Sequence, residues 1–154
     1  MHNSHKYETH LKWTGAASGP VSSYESYSRE YVVSAPGKTP LAGSADTIFR
    51  GDATRYNPED MLVASLSGCH MLSFLADAAR AGVRVVAYED RASGTLVLQQ
   101  GGGHFTEVIL RPHVTVEGGD AETVQKLHER AHENCFVASS MNFPVRHEAT
   151  TTVL

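Results

Sequence analysis

Asn57-Pro58-Glu59-Asp60, followed by Met61-Leu-Val-Ala-Ser-Leu-Ser-Gly-Cys69-His-Met-Leu-Ser-Phe-Leu75, reads as the start and body of one long helix. Asn57 can cap it, Pro58 suits its first turn, and Glu59 and Asp60 complement the positive end of the helix dipole. The helix should run to Arg80-Ala81 and stop at Gly82, a glycine placed just past a basic last turn. Apolar residues lie on nearly every side, which predicts a helix that is buried or part of a subunit interface. The uncharged run from Met61 to Ala76 is shorter than the roughly 20 residues a membrane span needs. Its serines and His70 argue the same way.

Upstream of this helix, Tyr7, Thr9, Leu11 and Trp13 alternate with strand period, and Gly15 to Pro20 form a turn. Tyr24 to Val33 read as a second strand. A loop with Pro36, Gly37 and Pro40 leads to a short apolar piece ending Ile48-Phe49-Arg50. Downstream, Val83 to Val86, Ala92 to Gln99 and Phe105 to Val116 have strand character, and Gly101-Gly102-Gly103 make a hairpin connection. Gly118-Gly119-Asp120 precede a second helix whose apolar stripe is Val124, Leu127, His128, Ala131 and Cys135. Asn142-Phe143-Pro144 break the chain, and Val145 to Val153 alternate as a closing strand. The order β-β-β-α-β-β-α-β, with hairpins rather than βαβ crossovers, predicts an α+β fold built on antiparallel sheet. At 154 residues a single domain over 1–154 is expected.

Thirteen basic and 17 acidic residues are interspersed, and no basic face appears, so a nucleic-acid partner is not expected. The first twenty residues hold no apolar segment of secretory type, and two cysteines do not make a disulfide scaffold. Free thiols in a cytoplasmic setting are the expectation. Of the nine histidines, His2 and His5 fall near the amino terminus and receive no role.

Cys69 and Cys135 lie 66 residues apart, too far for a CxxC motif, and two thiols alone cannot fill a tetrahedral metal site. Their chemistry must therefore be thiol chemistry assembled by folding. Reduction of a peroxide by cysteine needs a thiolate, which an arginine can stabilise. A carboxylate can hold that arginine, and a second thiol can convert the sulfenic acid to a disulfide. Cys69, Arg50, Glu59 and Cys135 are the candidates for these roles.

The pattern Phe49-Arg50 … Asn57-Pro58-Glu59-Asp60-Met61-Leu62 … Ser65-Leu-Ser-Gly-Cys69, with a cysteine ending the second helix, resembles the OsmC/Ohr family of hydroperoxide-detoxifying proteins, the OsmC-like branch more closely. The ten-residue interval from Glu59 to Cys69 and the order of elements carry the resemblance over essentially the whole chain. It implies an intertwined homodimer acting as a thiol peroxidase on organic hydroperoxides. Cys69 would be peroxidatic, Cys135 resolving, and a dithiol, lipoyl-type by analogy, the reductant. Neither a cofactor nor a metal is implied. Arg50 fits the arginine position of the OsmC branch, with Arg55 its competitor. Cys135 is followed by Phe136 where family members usually have proline.

Other readings compete with these. Cys69 and Cys135 could be inert buried thiols, Arg50 a surface residue, and Glu59 a dipole partner only. His128, His132 and Cys135, at i, i+4 and i+7, have metal-ligand spacing but lack an obvious fourth ligand. His70 points about 100° around the helix from Cys69 and reads as a packed residue. Tyr24, Tyr27 and Tyr31 read as cross-strand packing. The alternative function is a non-enzymatic protein binding a hydrophobic ligand or a metal at the dimer interface.

Overall fold

A computed structural model describes residues 3–154; His2 lies outside them. The chain divides into two compact units, with the boundary after Met61. The first contains a three-stranded antiparallel sheet in the order β1 (His10–Trp13), β2 (Tyr31–Ser34), β3 (Leu41–Gly43). Trp13 is paired with Tyr31, and Tyr31 with Gly43. The Tyr31 ring lies over Gly43 so closely that a Cβ there would sit 2.4 Å from it, so the register demands glycine.

Two expectations shift here. The second strand is confined to Tyr31–Ser34, leaving Tyr24 to Glu30 irregular. The third strand lies at Leu41–Gly43, and Thr47–Phe49 instead form a 3-10 turn. The cause of the turn is local: the Asp46 carboxylate accepts the Ile48 N–H at 2.8 Å and starts it.

Helix α1 spans Pro58–Arg80 without a break. Asn57 Oδ1 accepts the Asp60 N–H at 2.7 Å, the cap expected of Asn57, and an Asp60 carboxylate oxygen accepts the Asn57 N–H in return. At the other end Gly82, with φ +72°, donates its N–H to Ala79 and Val83 donates to Ala78. These two bonds form the Schellman closure a C′ glycine permits. Length and composition alone would let α1 cross a membrane. Its inner stripe argues for a core helix, because Leu66, His70, Phe74, Asp77 and Ala78 are buried against protein.

In the second unit, β4 (Arg84–Asp90), β7 (Pro112–Glu117) and β9 (Thr150–Val153) form one sheet. Strands β5 (Ser93–Gln99), β6 (Gly102–Leu110) and β8 (Val145–His147) form another. Helix α2 covers Ala121–Glu133, with Asp120 accepting the Thr123 N–H at 2.8 Å. β6 ends at Leu110 and Pro112 opens β7, with Arg111 between them, so the predicted Phe105–Val116 strand is two, each in its own sheet. The closing segment divides likewise, and both halves pair parallel: β8 beside β6 and β9 beside β7. The other strand pairings are antiparallel as expected, and these two differ because the path through α2 returns the chain in its original direction.

The core of this unit has two clusters. Phe74 and Ala78 of α1 pack with Val114 and Val116 of β7 and Val124, Leu127 and Ala131 of α2. Leu66 packs with Val108, Leu110 and Val145. This second cluster lies next to Cys69 on the helix.

Candidate active site

Both thiols belong to the second unit. Cys69 sits mid-helix on α1 and is half-buried; Cys135 follows α2 and is 1% exposed. Folding brings them together as free thiols, near enough for Cys69 to act on the Cys135 thiol. Burial, chiefly, and that contact with Cys69 push the Cys135 thiol up to about 11. The turn that follows wraps the sulfur: the Ala138 N–H donates to Cys135 Sγ at 3.4 Å, and the Ser139 N–H donates to the Cys135 carbonyl. Phe136, in contrast, projects into solvent at 82% exposure, so the residue after Cys135 does not cover the thiol pair.

Glu59 occupies the first turn of α1 and lines a cavity of about 280 Å³ in the first unit. The wall is largely aromatic, from Trp13, Tyr27, Tyr31 and Phe49, with Arg29 as its cation. The Tyr31 hydroxyl is buried without a partner; burial and then the Glu59 charge raise its pKa. The Arg29 guanidinium lies 3.8 Å from the Tyr27 ring centroid and 4.8 Å from that of Tyr24, and it donates to both tyrosine carbonyls. These tyrosines are therefore not a cross-strand set. Tyr24 and Tyr27 lie in irregular chain and hold a cation by stacking.

Arg50 is placed differently. It ends the 47–49 turn in the left-handed conformation, φ +66°, and is exposed to solvent. Among the described residues no ion pair joins it to Glu59, and it does not line the cavity. Arg55 pairs with Glu30 at 3.6 Å and Asp52 at 3.5 Å. The arginine that shares a cavity with Glu59 is Arg29, a residue that carried no role in the sequence. The available signal was its position inside a run of tyrosines.

His70 is a packed residue, wholly buried and hydrogen-bonded to His128, its Nε2 lying 3.0 Å from His128 Nδ1. Among the described residues no three His, Cys, Asp or Glu side chains converge on a cation position. Cys135 lies just beyond the end of α2 rather than on its last turn, and His128, His132 and Cys135 do not form a ligand set.

The sequence profile of the OsmC-like protein family matches residues 51–150. Among solved structures, an OsmC-like protein of unknown function from Vibrio cholerae is 31% identical, covering 96% of this chain and 100% of its own, with a TM-score of 0.86. An organic hydroperoxide resistance protein from Legionella pneumophila is 18% identical over 97% and 99% of the two chains, with a TM-score of 0.68. One from Elizabethkingia anophelis is 20% identical over 96% and 99%, also with a TM-score of 0.68. No curated protein matches the chain. The matched profile and the 31% identity over nearly the full length place the chain in the OsmC-like protein family.

Proposed function

We propose that this protein is a cytoplasmic, homodimeric thiol peroxidase that reduces organic hydroperoxides through Cys69 and Cys135. The observation that carries the reading is the pairing of two free thiols, one half-buried and one buried, in a single seam. The Cys69 thiolate attacks the distal peroxide oxygen, the O–O bond breaks, and a proton completes the departing alcohol. Cys69 is left as a sulfenic acid. Cys135 then attacks that sulfur, a disulfide forms and water leaves. A dithiol, lipoyl-type by family analogy, returns both thiols by exchange and is itself oxidised.

Glu59 and Cys69 lie ten residues apart on an unbroken helix, about 15 Å at 1.5 Å per residue. No carboxylate spans that distance, so a second copy of the chain supplies Glu59 to each Cys69. Arg29 accompanies Glu59 in its cavity and, on this reading, takes the role that sequence position gave to Arg50. The aromatic wall suits peroxides with alkyl or aryl tails better than hydrogen peroxide.

The test is consumption of cumene hydroperoxide with dihydrolipoamide as donor. Turnover that disappears in Cys69→Ser supports the reading, and absence of turnover in the wild type refutes it. The same cavity gives the second reading its observation: an aromatic pocket of about 280 Å³ can hold an apolar ligand without chemistry. Saturable binding of cumyl alcohol with no peroxide consumption would favour it.

A further inference from the structure

Four histidines gather between α1, α2 and β8 in the second unit, and nothing in the thiol chemistry uses them. His70 and His128 are wholly buried, and His132 and His147 lie partly exposed beside them. His70 and His128 run parallel with ring centroids 5.3 Å apart. His147 lies 5.3 Å from His70 and 6.1 Å from His128, and His132 lies 5.6 Å from His147. His70 stands on α1 between Leu66 and Phe74, and His128 on α2 between Val124 and Ala131, positions where both stripes otherwise carry core residues.

The only hydrogen bond within the buried pair is the one they share. His70 Nδ1, His128 Nε2 and His147 Nδ1 are buried with no partner. Whichever ring donates, one N–H and one bare nitrogen of the pair stay unsatisfied, a costly arrangement for a core. The surroundings offer little to hold a charge. Phe74 stacks on His128 at 4.1 Å and Tyr88 of β4 closes the same side. The Tyr88 phenol is kept neutral by burial and by Asp90. Asp77 of α1 is taken by Arg80 and Arg130, and Arg146 of β8 pairs with Glu107. Glu129 on α2 is the carboxylate that acts on His147.

We propose that this four-histidine cluster is an acid-sensitive latch, which holds α2 and β8 against α1 while neutral and releases them when charged. Release would loosen the seam that keeps Cys135 against Cys69, whether or not peroxide is the substrate.

The direction follows from linkage. Burial, with smaller repulsion from neighbouring histidines, lowers His70 to about 4 and His128 to about 3, against about 6.5 for a free imidazole. Above pH 6.5 the closed and open states bind protons alike, and closure is fully stable with respect to these groups. Below it the open state gains protons the closed state refuses, so opening grows until the buried rings charge in place, near pH 4 and pH 3. At pH 5 each histidine that regains its ordinary pKa multiplies the opening constant about 30-fold, and the two together on the order of 10³-fold.

Amide hydrogen exchange of α2 and β8, corrected for intrinsic rates and read at pH 7.5 and 5.0, measures that constant in the wild type. A rise of 30-fold to 10³-fold is expected, and a double variant His70→Leu/His128→Leu should change less than threefold over the same interval. Should the double variant not fold, ring-carbon NMR titration of the wild type decides. His70 and His128 remaining neutral at pH 5 in the closed state supports the latch. Their titration near pH 6.5 with exchange of α2 unaltered overturns it.

Discussion

The buried position of Cys135 gives a prediction with a number attached. A free cysteine, with a pKa of about 8.5, is about 3% thiolate at pH 7. With the Cys135 thiol pushed up to about 11, that fraction falls to about 0.01%, a loss on the order of 10²-fold. Replacing Cys69 by Ser isolates Cys135 and keeps a hydroxyl beside it. Ultraviolet thiolate absorbance of Cys69→Ser, followed from pH 6 upward, should stay near zero through pH 9. Alkylation by iodoacetamide should quicken tenfold per pH unit over the same interval with no plateau. Burial is the main cause of the shift, so loss of the Cys69 contact should lower the midpoint only slightly. Half-ionisation near pH 8.5 would refute the reasoning, because it would mean that the packing around Cys135 does not exclude charge. On the proposed mechanism, disulfide formation would be limited by deprotonation of Cys135 at neutral pH.

Phe74→Ala removes a ring wholly buried among Ala78, Val114, Val116 and the α2 stripe, and should cost about 3–5 kcal/mol in urea unfolding. Arg29→Lys keeps the charge but loses the planar group stacked on Tyr27, so kcat/KM for cumene hydroperoxide should fall by about tenfold or more while Arg50→Ala stays near wild type. The reverse ranking would return the role to Arg50. Mixed dimers of Cys69→Ser and Glu59→Ala chains should regain part of the activity that each homodimer lacks. No recovery after confirmed subunit exchange would mean a site built within one chain.

Much of this fold is written locally. Asn57, Gly82 and Asp120 mark helix ends with side chains or backbone freedom that act within a few residues, and each helix stops or starts where they indicate. The pairing of the closing strands is a different matter. Alternation from Val145 to Val153 fixes which residues face the core but says nothing about partner or direction, and both halves proved parallel to their neighbours. Two core-facing stripes allow Cys69 and Cys135 to meet, but the sequence does not fix the distance between them. Arg29 could not be inferred, because Tyr24 and Tyr27 continue the spacing of Tyr31 in β2 and imitate a strand, while the chain there folds irregularly around a guanidinium. The histidine cluster depends on residues up to 77 positions apart, from His70 to His147, and no local pattern announces it.

Cys69 and Cys135 are proposed to act as a redox pair. Mass spectrometry of the intact, unreduced protein after one equivalent of cumene hydroperoxide tests it most directly. The predicted product is lighter by two hydrogen atoms and yields a peptide joining Cys69 to Cys135 within one chain. Unconsumed peroxide with both thiols still free would contradict the account.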